Sequence, residues 1–191
     1  MGIPATNHEE MLVAKAQQGD RRAFGELVGI HYAGVIQVVY HLSGNAQVAE
    51  DAAQEAFLRA WLHLPEYRHQ SSLRSWLYRI AVNAALDMLR REAKLSNEDL
   101  NDLPLADGQP GPEAAVVAGE RARLVRQAVD LLPPASRAVL VLREYQGLSY
   151  QEIAATLDIP MGTVMSRLNY ARSQLRAKLE PQMRLMEVEN G

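Results

Sequence analysis

The sequence predicts an all-α fold: two small helical domains joined by a flexible linker, the second carrying a helix-turn-helix. Three observations support this. Apolar residues recur at three- and four-residue spacing through most of the 191 residues. Strand signals are weak throughout. A stretch rich in proline, glycine and acid splits the periodic pattern in two.

The elements follow in order. Residues 8–18 and 21–42 predict two helices joined at Gly19-Asp20. Val38-Val39-Tyr40 is too short for a strand and lies within a helical pattern. Residues 46–63 predict a third helix, stopped by Pro65. A fourth spans 71–93, with Leu73, Leu77, Ile80, Ala84 and Met88 on one face and Ser71 or Ser72 as N-cap. Leu95 to Pro112 reads LSNEDLNDLPLADGQPGP, which no regular element tolerates. Residues 1–94 and 113–191 are therefore expected to be separate domains, with 95–112 as linker. Beyond it, Glu113–Leu132 predicts a helix ended by Pro133-Pro134, and 135–145 another. A short helix then runs to Leu157, a turn follows at Asp158-Ile159-Pro160, and a final helix extends from Gly162 to Leu179. Val164, Leu168, Ala171, Leu175 and Leu179 form its apolar stripe.

Composition narrows the function. Cysteine is absent, which excludes a disulfide framework, a thiol nucleophile and thiolate metal sites. The five histidines, His8, His31, His41, His63 and His69, show no metal-binding helix spacing, so no metal or cofactor is expected. No uninterrupted apolar run reaches membrane-span length and no signal-peptide pattern is present, so the expected location is cytoplasmic. The net charge of −3 is unevenly spread. Residues 96–120 carry six acidic and no basic side chains, whereas residues 121–191 carry ten basic and seven acidic ones.

The most informative segment is Leu148–Lys178, LSYQEIAATLDIPMGTVMSRLNYARSQLRAK. Ser149 and Glu152 have capping-box spacing. Ile153, Ala154 and Leu157 face inward, and small Ala154 permits close helix approach. Arg167, Arg172, Arg176 and Lys178 follow the turn, and no acidic residue occurs between Ile159 and Leu179. Such a helix fits the major groove, with its N-terminal residues meeting base edges.

This segment resembles region 4.2 of the sigma-70 family, especially its extracytoplasmic-function (ECF) group, in which L-S-Y-x-E-I-A…I-P-x-G-T-V-x-S-R-L…A-R…L is a signature. Leu132-Pro133-Pro134, Ala138-Val139-Leu140 and Leu142-Arg143-Glu144 resemble region 4.1. Residues 51–61, DAAQEAFLRAW, resemble region 2.2. Residues 71–83, SSLRSWLYRIAVN, followed by Asp87 and Arg90-Arg91, resemble regions 2.3 and 2.4. The resemblance covers nearly all of the chain outside the linker and the extreme termini.

The resemblance implies a sigma factor that binds core RNA polymerase and directs promoter-specific initiation. It assigns polymerase binding to Asp51, Gln54, Glu55 and Arg59, with Phe57 and Trp61 mostly structural. It assigns the −10 element to Tyr67, Ser71, Ser72, Arg74, Trp76, Arg79, Asn83, Arg90 and Arg91. Asn83 is the expected reader on the helix, and the Tyr67–Ser72 loop is expected to select a base. Aromatic groups, Tyr78 among them, are candidates to stack on unpaired bases, an interaction worth about 1–3 kcal/mol per base. The −35 element falls to Arg143, Thr163, Met165, Ser166, Arg167, Asn169, Tyr170 and Arg172. Many relatives carry a basic residue in place of Met165 and arginine in place of Tyr170, so an altered element or weaker binding is expected. The family also implies an anti-sigma partner, often membrane-anchored, and a stress or extracytoplasmic response. About 20 extended linker residues reach roughly 66 Å, enough to span elements one to two DNA turns apart.

Three other functions fit the sequence less well. A stand-alone helix-turn-helix regulator leaves the 51–61 and 67–91 motifs unused. A sigma-like decoy that sequesters an anti-sigma factor fits Met165 and Tyr170 but not the retained basic residues. An enzyme lacks a nucleophile–base pair, a phosphate-binding glycine loop or a metal cluster.

Overall fold

The computed structural model describes the backbone of residues 5–96 and 114–189, and the side chains of residues 8–91 and 121–181. Among the described residues all regular structure is helical: α1 (Ala5–Gln17), α2 (Arg21–Ser43), α3 (Ala46–His63), a 3-10 turn at Leu64–Glu66, α4 (Leu73–Ser96), α5 (Ala114–Asp130), α6 (Pro134–Glu144), α7 (Tyr150–Leu157) and α8 (Met161–Glu189). Every expected helix is present. α4 takes up Leu95 and Ser96 from the expected linker, and the remaining linker residues, 97–112, lie outside the described residues. α8 runs ten residues further than expected and carries Pro181 inside it.

Side-chain caps set several helix boundaries. Asp20 accepts from the backbone N–H groups of Arg22 and Ala23 at the start of α2. Asn45 does the same for Gln47 and Val48 at the start of α3. Ser72 Oγ accepts from the Ser75 N–H, which resolves the α4 cap in favour of Ser72. Each cap contributes about 1 kcal/mol. α2 ends at Gly44, whose φ of 70° is costly for other residues.

In the N-terminal unit, α2, α3 and α4 pack against one another and α1 covers α2. α3 turns Ala49, Ala52, Ala53, Ala56 and Ala60 inward, so its neighbours can approach its backbone closely. By length and composition α2 is apolar enough to cross a membrane. Here that composition serves burial: Leu27, Val35, Val38, Val39 and Leu42 are all in the core. In the C-terminal unit α6 is buried from Ser136 to Leu142; α7 and α8 pack on it, and α5 packs on α8.

The two units are not apart. α6 packs on α2, and α7 packs on α4. Arg137 of α6 is buried at this junction, donating to the carbonyls of Leu42 at the end of α2 and of Asp130 and Leu132 at the end of α5. A cation there completes two helix C-termini, where carbonyls lack helical partners and the helix dipoles are negative.

Candidate nucleic-acid interface

α3 presents one long outer face. Asp51 and Gln54 are exposed and Glu55 is partly so; Gln47 Nε2 donates to Asp51 Oδ1 at 3.3 Å. The same face continues through Leu58 and Leu62, which are 62% and 71% exposed. Sequence reasoning missed these two leucines because leucine at helical spacing reads as core. The signal was the alanine row on the opposite side, which already fills the inward positions. Arg59 is placed differently from its three companions. Its Nε donates to Glu55 Oε1 at 2.8 Å, and its NH1 lies 3.7 Å from Asp87 Oδ2 on α4. Arg59 thus bridges two helices. Phe57 is buried against the ring of Tyr32, and Trp61 packs on Phe24 with centroids 5.0 Å apart.

The loop before α4 is held from both ends. Gln17 donates to the carbonyls of Leu64 and Tyr67 at 3.1 and 2.9 Å. Tyr67 is buried, its hydroxyl donates to the Ser71 carbonyl at 2.6 Å, and its ring rests against Trp76. Burial, then the nearby Glu9 and Glu10, push its phenol above the ordinary value and keep it a donor. In this conformation Tyr67, the Ser71 carbonyl and the Ser72 cap shape the loop, and Arg68, His69, Gln70 and Ser72 are exposed. His69 sits at φ 57°, an unusual conformation for a side-chain-bearing residue. Composition alone could not separate the loop's pillars from its outward groups.

Along α4, Arg79, Asn83, Arg90 and Arg91 are exposed, while Trp76 is half-buried against the core. Arg90 donates to Asp87 at 2.8 Å. Arg74 reaches across to the C-terminal unit. Its NH2 donates to the Gln146 carbonyl and side-chain oxygen at 3.0 and 3.2 Å, and its Nε donates to the Tyr78 hydroxyl at 3.0 Å. Arg79 NH2 lies 3.9 Å from Asp158 Oδ2 in the turn between α7 and α8.

α7 and α8 form the helix-turn-helix. Both arms of the capping box form: Ser149 Oγ accepts from the Glu152 N–H, and Glu152 accepts from the Ser149 N–H at 2.7 Å. Those hydrogen bonds hold the Glu152 carboxyl below its ordinary range. Asp158 ends α7 in the left-handed conformation, φ 53°, which turns the chain sharply into α8. Val164, Leu168 and Ala171 are buried. The opposite side exposes Met165, Ser166, Asn169 and Tyr170, with Thr163 and Arg167 at its edges. Met165 and Tyr170 are each 46% exposed, so neither departure from the family pattern is hidden in the core. Arg143 donates to the Leu148 carbonyl at 2.8 Å and lies over the Tyr150 ring. Arg172 donates to Glu144 at 2.7 Å, which raises its pKa further. Both arginines brace the motif in this conformation. Among the described residues no three histidine or acidic side chains converge as a metal site.

Two helical units, one with an open amphipathic helix face and one ending in a basic helix-turn-helix, have the form of a DNA-binding transcription factor. Residues 27–95 match Sigma-70 region 2, and residues 122–175 match Sigma-70, region 4. The chain is 37% identical over 186 residues to the RNA polymerase sigma-H factor of Pseudomonas aeruginosa, covering 92% of this chain and 96% of that one. It is 35% identical to the ECF sigma factor SigW of Bacillus subtilis, covering 89% and 98%, and 34% identical to the ECF sigma-E factor of Escherichia coli K12, covering 92% and 96%. Among solved structures it resembles CnrH in complex with the cytosolic domain of CnrY, with TM-score 0.68, 28% identity, and 91% of this chain and 98% of that one covered. It shares its fold with RpoE of Bartonella quintana, solved with the anti-sigma factor NepR, with TM-score 0.66, 22% identity, and coverage of 82% and 96%. The chain belongs to the ECF group of the sigma-70 family, non-catalytic factors that direct RNA polymerase to promoters.

Proposed function

We propose that the outer face of α3 docks on core polymerase through Asp51, Gln54 and Glu55, with Leu58 and Leu62 supplying the apolar part. The observation that carries this is the coincidence of polar and bare leucine side chains on one helix face, as helix-docking partners require. The exposed groups of α4, Asn83 foremost, with Arg79, Arg90 and Arg91, read and grip the −10 element together with the Arg68–Gln70 loop tip. The Met165–Tyr170 face of α8 reads the −35 element. Phosphate contacts position the duplex and base contacts specify it. Residues 1–94 and 113–191 are the two working domains, and 95–112 is the tether between them. The factor acts in the cytoplasm, has no enzymatic activity of its own, and is restrained by an anti-sigma protein, as the complexes formed by its structural relatives support.

The test is run-off transcription with core polymerase and a promoter library randomised at both elements. Enriched transcripts establish an active factor and reveal what Met165 and Tyr170 accept. Polymerase binding without transcripts supports the second reading, a decoy for an anti-sigma factor, which the lack of a strong donor at Met165 favours. Failure to bind polymerase removes both.

A further inference from the structure

We infer that α8 selects its promoter sequence through the 5-methyl groups of thymine, with the thioether side chains of Met161 and Met165 as the readers. The inference rests on the assignment of this helix face to the −35 element and names the base chosen there. Met161 and Met165 are 48% and 46% exposed. They stand four residues apart at the start of α8, so both project from one side of the helix. The N-terminal part of a recognition helix is the part that meets base edges. Around the two methionines hydrogen-bond donors are scarce. The Ser166 hydroxyl donates to the Thr163 carbonyl at 3.1 Å, which leaves only its lone pairs for DNA. Gly162 offers no side chain, and a Cβ there would meet nothing within 4 Å. Thr163 and Arg167, two residues either side of Met165, lie on another side of the helix.

This chemistry discriminates between bases. Guanine presents two acceptors in the major groove, and thioethers would strip them of water without replacing it. Thymine presents a methyl group, and methyl against thioether buries apolar surface on both sides. Methionine is unbranched and adapts to such an edge. The spacing is also suitable. Four residues of helix rise about 6 Å, close to two base-pair steps of about 3.4 Å. The two methionines therefore meet methyl groups within about two base pairs of each other. Asn169, one turn beyond Met165 and exposed, carries the donor and acceptor that match adenine. The flanks commit this face to DNA: Arg176 and Lys178 are exposed further along α8, and no acidic residue occurs between Ile159 and Leu179. Those cations hold the phosphates, and the methionines carry the choice of base.

The test uses holoenzyme made from core polymerase and the full chain. Wild type first selects its element from promoter duplexes randomised at the −35 positions. Thymines are expected at two positions no more than about two base pairs apart, on either strand. Each selected thymine is then replaced by uracil, which removes the methyl group and keeps the base pair. Uracil at each of the two positions is expected to weaken binding about fourfold, the scale of one buried methylene. Met165→Ala is expected to weaken binding to the thymine duplex by a similar factor and to abolish the uracil response at one position. Met161→Ala is expected to abolish it at the other. Each variant keeps the response at the position it does not read, which shows that its helix still enters the groove. Uracil without effect at every selected thymine, an equal uracil response in wild type and both variants, or a selected element lacking thymine would each overturn the inference alone. Holoenzyme that selects no −35 sequence would overturn the assignment of α8 itself, and the methyl contact with it.

Discussion

The outer faces of α3 and α4 lie on neighbouring helices of one bundle yet stand in opposite states. On α3, Asp51, Gln54, Leu58 and Leu62 are open to solvent, and Arg59 is tied to Glu55 and to Asp87 of α4. On α4, Arg74 and Arg79 are engaged by the C-terminal unit. The polymerase surface we assign is ready-made, whereas part of the promoter surface is guarded. The difference has a functional logic: a free factor that meets polymerase before DNA avoids wandering on the genome through non-specific phosphate contacts. The two faces also differ in chemistry. Exposed leucines store an apolar driving force for docking, while guanidinium groups trade one polar partner for another at small net cost.

The largest effect is expected where the two units join. Arg137 supplies donors to three carbonyls in a buried setting, and burial lowers its pKa despite the nearby Asp130. Arg137→Ala leaves those carbonyls unpaired and is expected to cost about 2–4 kcal/mol in urea unfolding. A loss below about 0.5 kcal/mol would mean that water replaces the guanidinium freely and that the seam is not structural.

Next comes the α3 face. Leu58→Asp or Leu62→Asp is expected to weaken polymerase binding by at least about tenfold, the scale of one buried leucine, while leaving the urea midpoint unchanged. Asp51→Ala and Gln54→Ala are expected to weaken it less. Unchanged affinity in a titration against core polymerase would remove the leucines from the interface and make the contrast with α4 one of exposure only.

How much of this was legible in the sequence depends on the range of the interactions. Ser149 with Glu152, the apolar stripe of α8 and Pro133 before α6 are local signals, and each produced the element expected of it. Placing Leu58 needed a count of which α3 positions the alanines had already filled. The role of Tyr67 was not legible, because an aromatic residue in a polar loop serves equally as pillar or platform until its hydroxyl is seen on the Ser71 carbonyl. Gln146, Arg137 and Asp158 act across 68 to 95 residues of chain or through a left-handed turn, and no periodicity reports such partners.

A smaller effect is expected on α8. Met165→Arg adds a cation to the exposed face that we assign to the −35 element. If it meets one phosphate, the log-affinity versus log-salt slope of holoenzyme on promoter DNA steepens by about 0.9. An unchanged slope would place Met165 away from the backbone.

The smallest expected effect lies in α2, beneath both faces. His31 is buried, with Nε2 3.3 Å from Glu9 Oε2. Burial outweighs the carboxylate, and Arg74 on α4 acts in the same direction as burial, so the His31 pKa is lowered. His41, near the other end of α2, is lowered too, by burial and Arg126. The folded chain therefore resists protonation at both sites, whereas the unfolded chain takes up protons near pH 6.5. Stability from these neutral imidazoles is full above that value and declines as pH falls through the lowered folded pKa. His31→Gln removes one titration, so its melting temperature is expected to fall less than that of wild type between pH 7.5 and 5.5, by about 2 °C. A steeper fall in the variant would mean that Glu9 wins over burial and that His31 is stabilised as a cation. Charge from α4 would then not reach the core of α2, and the arginine held by Gln146 would matter only at the surface.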